Sequence, residues 1–192
     1  VLVGHGHVGF QGGDGEALID WVLRAYESGE QIPHRALIVF GPFMQSEAQE
    51  NFLQRINELD NVDAITFDAH IEHLMKNAVG VIAMGGYNTF CEILSFNKPG
   101  VIIPRTQPRL EQYIRASRAQ ELGLMSLLND DGVRNTSPMI TALRQLTQQN
   151  PPSDVVLPGL LNGLPNISRL VGMHFDKKRL GDASSDLAII NQ

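Results

Sequence analysis

GVIAMGGYNTFCEILSFNKPGVIIPRTQPRLEQYIRASRAQELGL, residues 80–124, alternates short apolar runs with helical patterns. The first apolar run ends at a pair of glycines, and a helix pattern opens at Asn88. A second apolar run, 100–103, follows Lys98-Pro99, and a second helix pattern opens after Pro108. Short buried strands that alternate with helices indicate a parallel α/β sheet. In such a sheet, ligands bind beyond the carboxyl ends of the strands.

The glycine turn between the first strand and the first helix has the composition of an anion site. Gly85 and Gly86 lack a Cβ, so a ligand can approach the backbone closely. Asn88 and Thr89 suit a first helical turn, where unpaired N–H groups and the helix dipole favour negative charge. Glu92 lies one turn further along the same face, placed to accept two sugar hydroxyls. The alternative is a solvated glutamate above an ordinary tight turn.

The rest of the chain continues the same alternation of strands and helices. Further strands are predicted within 1–10 and at 36–40, 62–67 and 125–128, and further helices at 16–26, from a capping box at Ser46 to Leu59, at 71–78 and at 137–149. The pattern predicts one Rossmann-like domain, a parallel sheet of about six strands with helices on both faces. We expect this domain to span 1–150, followed by a C-terminal segment and tail at 151–192.

Composition excludes several classes of protein. The chain has 192 residues and a net charge of −6, which argues against binding nucleic acid through bulk charge. Its one cysteine, Cys91, cannot form an intrachain disulfide, as is usual in a reducing compartment such as the cytoplasm. No signal peptide or transmembrane segment is predicted. The aspartates form no Asp-x-Asp cluster of the kind found in metal-dependent sugar transferases.

The order and spacing of the central motifs resemble the C-terminal donor-binding domain of the MurG-like GT-B glycosyltransferases, glycosyltransferase family 28. The resemblance is carried by Gly86–Glu92, Lys98-Pro99, Pro104-Arg105 and Arg109–Gln112. It extends over about residues 8 to 148 and is strongest from 80 to 124. It implies a GT-B half-fold that binds a UDP-sugar as co-substrate, with no other cofactor and no metal.

The resemblance also implies donor-binding residues. They are Gly12 and Gly13 near the phosphates, Phe67, Asp68 and His70 at the base, Gly85, Gly86, Tyr87, Asn88 and Thr89 at the diphosphate, Glu92 at the ribose, Arg105 at the diphosphate, and Glu111 and Gln112 at the sugar. His70 has a surface position as its alternative, Arg105 a surface salt bridge, and Tyr87 either stacks or packs. MurG carries Gln-Gln where this chain has Glu111-Gln112, so the sugar stays open. Arg109, Arg115 and Arg118 are expected to face solvent.

In the GT-B enzymes an acceptor-binding domain comes first and normally supplies the general base, so no catalytic residue is predicted in this chain. The chain is therefore expected to be a fragment, or a donor-binding subunit that needs a partner, as in the split dolichol-pathway N-acetylglucosaminyltransferase. The resemblance implies a metal-independent, inverting transferase in the cytoplasm, with peripheral membrane contact as an open option. The alternatives are a non-catalytic nucleotide-sugar binding subunit and, less favoured, a UDP-sugar epimerase.

Overall fold

The computed structural model describes residues 1–4, 13–66, 68, 70–155 and 159–175. Contacts within the chain divide it into two compact units, with the boundary after Val155. In the second unit, residues 163–175 form a helix. None of the helices within the described ranges is both long and apolar enough to cross a membrane.

A parallel sheet organises the first unit. In the described residues its six strands are β1 Leu2–Gly4, β2 Ala36–Val39, β3 Val62–Ile65, β4 Val81–Ala83, β5 Gly100–Ile102 and β6 Ser126–Leu127. They pair in the order β3-β2-β1-β4-β5-β6, and every pair is parallel. The strand order reverses between β1 and β4, where ligands of such sheets bind. The predicted Rossmann-like fold is confirmed, and β4 lies in the sheet interior.

Helices connect the strands and cover the sheet. They are α1 Gly13–Glu27, α2 Ser46–Ile56, α3 Ile71–Asn77, α4 Tyr87–Ser95, α5 Glu111–Glu121 and α6 Thr136–Gln145, followed by 3₁₀ turns at Leu146–Gln148 and Pro152–Asp154. Helix α1 packs against α2 and α6, which places these three on one face. Because parallel crossovers are right-handed, α3, α4 and α5 belong to the opposite face.

The capping box expected at Ser46 does not form. Helix α2 has Gln45 as its N-cap, and no side chain caps it. Gln49 instead donates its amide to the Met44 carbonyl at 2.9 Å, which ties the helix to the loop before it. Leu53, which the apolar spacing of this helix predicts to be buried together with Phe52 and Ile56, is 38% exposed. The capping pattern of Ser46 and Gln49 does not form because the Gln49 side chain binds the carbonyl of the preceding loop instead.

Helix α6 begins at Thr136, two residues before Pro138, which is the first helical position that a cap at Ser137 predicts. Its N-cap is Asn135 rather than Ser137, so Pro138 is the third helical residue. Proline is tolerated there because the first helical N–H groups have no intrahelical acceptor. The position is fixed by a tertiary contact, since the Trp21 indole donates to the Asn135 carbonyl at 2.7 Å. Trp21 is 1% exposed, so this bond lies at the edge of the core between α1 and α6.

The contact between α1 and α2 predicts an acid-sensitive stability. Asp20 accepts hydrogen bonds from Arg24 at 2.9 Å and Arg55 at 2.8 Å. Burial raises the pKa of Asp20, but the hydrogen bonds from the two arginines prevail and hold that pKa below its ordinary value. A lowered folded-state pKa stabilises the protein above the unfolded-state pKa of about 3.9, and this stabilisation is lost as the pH falls further.

We therefore expect Asp20→Asn to lower the free energy of unfolding at pH 7 by up to about 1 kcal/mol and by less at pH 3. Urea unfolding at both pH values measures the two differences. The exposed pair of Asp63 with Arg35 provides the control variant Asp63→Asn, which should change stability less at pH 7. An Asp20→Asn effect of equal size at pH 3 would show that the ion pairs do not carry it.

Candidate functional site

The turn from β4 to α4 uses its two glycines differently. Gly85 has a φ of 78°, and a Cβ added there would lie 2.6 Å from Cγ2 of Ile102. Both the backbone and the neighbouring strand therefore require glycine at this position. Gly86 is the N-cap of α4 in an extended conformation, and no heavy atom lies within 4 Å of a Cβ built on it. Gly85 makes the turn, and Gly86 leaves space beside it.

The first turn of α4 presents unpaired donors at the carboxyl edge of the sheet. No side chain among the described residues caps this helix. Tyr87 is 66% exposed, and Asn88 is also exposed, whereas Thr89 is half-buried. The first N–H groups of a helix have no intrahelical acceptor, and the helix dipole adds positive potential at this end. The turn therefore has the backbone geometry that binds a phosphate.

Glu92 lies one turn further into α4, where it is half-buried. Within the part of the chain that the structure describes, no side chain or backbone group pairs with its carboxylate. Glu92 follows the N-cap of α4 by six residues, and the ribose role that the sequence suggested for it stays a prediction. An acceptor group in this place suits the neighbouring hydroxyls of a ribose.

Arg115 on α5 is a residue that the sequence interpretation misplaced. It was expected to face solvent, but its side chain is only 18% exposed. Its Nη1 donates to the Gly85 carbonyl at 2.9 Å, and its Nη2 pairs with Glu111 one turn earlier. Its guanidinium carbon lies 5.4 Å from the centre of the Tyr87 ring and 5.8 Å from that of Phe90. The spacing of Glu111 and Arg115 on one helix face was the available signal.

The loop after β5 is tied to the same helix. Gln112 accepts the Arg105 N–H through Oε1 at 3.1 Å, so Arg105 is held beside the first turn of α5. A cavity of about 180 Å³ opens next to it, bounded by Met84 just after β4, by Trp21 of α1 and by Arg134. Arg134 pairs with Asp130, which also lines the cavity. The sequence interpretation identified neither residue as part of a site. Helix α5 therefore contacts both loops of the proposed site.

The predicted base-binding loop follows β3 at the same edge of the sheet. Asp68 accepts the His70 N–H at 2.7 Å, and the exposed ring of His70 stacks on His73 with centroids 5.8 Å apart. Strands β2 and β1 lie between β3 and β4, so about 14 Å of sheet separates the two loops at a spacing of about 4.8 Å. A ligand needs an extended shape to contact both loops.

Gly12 and Phe67 lie outside the described residues. Gly13, which the sequence predicts to lie in a glycine-rich loop with Gly12, is the first residue of α1. Among the residues that the structure describes, no group of three or more histidine, cysteine, aspartate or glutamate side chains is arranged to hold a metal ion.

Comparison with known proteins gives a family match over most of the chain. Residues 10–152 match the model of the glycosyltransferase family 28 C-terminal domain. A curated relative from Thermotoga maritima is 24% identical over 90 residues, which is 46% of this chain and 26% of that protein. It is the UDP-N-acetylglucosamine–N-acetylmuramyl-(pentapeptide) pyrophosphoryl-undecaprenol N-acetylglucosamine transferase. The match thus spans about a quarter of that relative.

Solved structures show the same fold. The calicheamicin glycosyltransferase CalG4 superposes with a TM-score of 0.56 at 18% identity, covering 76% of this chain and 34% of that one. The solution structure of ALG13 superposes with a TM-score of 0.52 at 19% identity, covering 79% of this chain and 87% of that one. At these identities the likeness establishes the fold, and the chain corresponds to about one third of CalG4 and to most of ALG13.

Proposed function

The chain belongs to glycosyltransferase family 28, as a MurG-like C-terminal domain, and we propose that it is the donor-binding part of an enzyme that transfers a sugar from a UDP-sugar. The observation that carries this proposal is the Gly85–Gly86 turn. It presents unpaired N–H groups beside the strand-order reversal, with Glu92 one helical turn away. Diphosphate, ribose and base then extend along the carboxyl edge of the sheet.

Each part of the donor has a proposed contact. The first turn of α4 and Arg105 hold the diphosphate, and Glu92 accepts from both ribose hydroxyls. The uracil reaches the loop after β3, where main-chain groups around Asp68 recognise it. Gln112 and the second carboxylate oxygen of Glu111 are directed to the hydroxyls of the sugar. An extended nucleotide diphosphate can span the roughly 14 Å between the two loops.

The proposed reaction is a direct, inverting displacement without a metal ion. An acceptor hydroxyl oxygen forms a bond to the anomeric carbon of the sugar as the bond from that carbon to the β-phosphate oxygen breaks. The electron pair of the broken bond stays on the departing UDP, whose growing charge the helix amino terminus and Arg105 stabilise. The proton of the hydroxyl passes to a general base outside this chain.

Residues 1–150 are the donor-binding domain, and 151–192 form a segment that reaches an acceptor-binding domain or partner subunit. The proposal of a further, acceptor-binding part is supported by the coverage of the relatives, because the chain matches only a fraction of CalG4 and of the Thermotoga transferase. We place the protein in the cytoplasm. The relative's name includes an undecaprenol-linked acceptor, and a similar acceptor would bring this chain to a membrane surface.

Isothermal titration tests the donor site directly. We expect UDP to bind more tightly than ADP by about tenfold, because recognition at the loop after β3 distinguishes the two bases and one or two hydrogen bonds account for that ratio. The titration uses UDP and ADP at the same ionic strength, since both carry the same phosphate charge. Equal affinity for the two nucleotides would contradict uridine recognition, and the absence of UDP binding would contradict the donor-site proposal.

A second candidate function is a non-catalytic nucleotide-sugar binding subunit that needs a partner chain. The observation in its favour is that the chain covers 87% of ALG13, a protein of similar extent. The two functions differ in turnover rather than in donor binding. Release of UDP from a UDP-sugar on addition of the acceptor-binding part favours the enzyme, whereas tight donor binding without turnover in that mixture favours the binding subunit.

A further inference from the structure

The peptide between Gly85 and Gly86 is the part of the phosphate turn that rotates most easily. Glycine on each side removes the Cβ contacts that normally restrict φ and ψ. In a trans peptide the carbonyl and the following N–H point in opposite directions, so rotation would reverse both groups. The direction of the Gly86 N–H, which has no acceptor among the described residues, therefore depends on what holds the Gly85 carbonyl.

Arg115 holds that carbonyl. Its Nη1 donates to the Gly85 oxygen at 2.9 Å, and the pairing with Glu111 fixes the other arm of the guanidinium. The rings of Tyr87 and Phe90 flank the same group, so its conformation is restricted from four sides. A guanidinium that donates in two directions and lies against aromatic rings is not reproduced by a lysine ammonium.

We propose that Arg115 is a positioning residue that locks the Gly85–Gly86 peptide with the Gly86 N–H directed at the donor diphosphate. This inference rests on the proposed donor-binding function. Arg115 acts by orientation rather than by charge, because its pairing with Glu111 leaves the local charge close to neutral. Its own atoms stay on the far side of the turn, bonded to the carbonyl and not to the ligand.

The role predicts a specific pattern of affinities. Arg115→Met retains a side chain that packs against Tyr87 and Phe90 but removes the bond to the Gly85 carbonyl. We expect it to weaken binding of UDP and of inorganic pyrophosphate about fivefold to twentyfold, the ratio that one hydrogen bond to a charged ligand supports. Binding of uridine, which has no phosphate, should change less than about twofold. Arg115→Lys should fall between Arg115→Met and the parent protein.

Arg118 provides a matched control on the same helix. Its side chain is 67% exposed and pairs only with Glu121 among the described residues. Arg118→Met removes the same charge three residues away and should leave all three affinities unchanged. Repeating the titrations at high salt separates the effect of orientation from that of charge. Salt screens charge interactions, so an affinity difference between parent and variant that is due to charge should decrease, whereas one that is due to the orientation of the peptide should not.

Titration of UDP, uridine and pyrophosphate into the parent and the three variants decides the proposal. The proposal is overturned if Arg115→Met binds UDP and pyrophosphate with parent affinity. It is also overturned if the affinities of Arg115→Met for uridine and for UDP fall by the same factor, which is the result expected for a purely structural residue. If Arg115→Met does not fold, Arg115→Lys gives the same comparison. If the parent protein binds pyrophosphate but neither UDP nor uridine, that result contradicts the proposed function alone. The role of Arg115 is then tested by the pyrophosphate affinities of the variants. A parent that binds none of the three overturns both proposals.

Discussion

Alanine at position 85 is expected to lower the free energy of unfolding by about 2–5 kcal/mol, the largest stability effect we predict. The left-handed backbone of this residue contributes about 1–2 kcal/mol, and overpacking contributes about 1–3 kcal/mol. The overpacking arises because the new Cβ would lie 2.6 Å from Cγ2 of Ile102, a buried residue on the interior strand β5. Since domains unfold with about 5–15 kcal/mol, the Gly85→Ala protein should be marginal at 37 °C.

The neighbouring glycine gives the contrast that makes this prediction specific. Gly86 has an extended backbone that alanine adopts without strain, and its added Cβ would enter open space. Gly86→Ala should lower the free energy of unfolding by less than about 1 kcal/mol, the small difference between glycine and alanine at an N-cap. It should nevertheless weaken UDP binding, because the methyl group occupies the space proposed for the diphosphate.

Urea unfolding and UDP titration of both variants measure these effects. The expected pattern is a large loss of stability at position 85 and a loss of affinity with near-normal stability at position 86. If Gly85→Ala unfolds at the parent urea concentration, the turn is not constrained by Ile102 as the structure indicates. If Gly86→Ala binds UDP with parent affinity, the diphosphate does not approach this face of the turn.

Loss of the Glu92 carboxylate is expected to weaken UDP binding about tenfold to a hundredfold, because two hydrogen bonds from ribose hydroxyls to a charged acceptor would be lost. Stability should change little, since no described residue pairs with this side chain. Glu92→Gln keeps the shape of the side chain but not its charge, so it should weaken binding less than Glu92→Ala. In the parent protein UDP should bind more tightly than 2′-deoxy-UDP. The ratio of these two affinities should be smaller in Glu92→Ala.

Glu50 supplies the control for this prediction. It is an exposed glutamate on α2, distant in sequence from the donor motif and outside the proposed contacts. Glu50→Ala removes the same charge from the protein and should bind UDP with parent affinity. Parent-like affinity in Glu92→Ala would make Glu92 a surface charge, and the site would then rest on the glycine turn. Failure of Glu92→Ala to fold would make it a structural residue.

The sheet was predictable because its strands are continuous apolar runs bounded by glycine and proline. The runs before Gly85 and before Pro104 have the composition of strands buried on both faces, and the structure places β4 and β5 inside the sheet. Helix starts were less predictable. The Ser46 and Gln49 spacing is a local capping pattern, but Gln49 bonds to Met44 instead, and local sequence does not specify which acceptor the fold brings near.

The candidate site likewise has one part that local sequence predicts and one part that it does not. The glycine pair and Glu92 belong to one strand, turn and helix, so their relative placement follows from the period of a helix. Arg115 comes 30 residues after Gly85, and its contact depends on how α5 packs beside α4. Hydrophobic periodicity marks which face of α5 is buried, but not that an arginine on its border bonds to a carbonyl across the loop.

Strand β1 has a consequence for how the protein folds. Leu2 pairs with Leu37 on one side and with Val81 on the other, so within the described residues β1 alone joins the strands β2 and β3 to the strands β4, β5 and β6. Each group can form from contacts nearby in the chain, but their union requires closure of a loop across some 80 residues, and such closure slows folding. The reversal point that creates the ligand crevice is thus completed only when the long-range pairing of β1 with β4 forms, and binding competence should appear together with that last step.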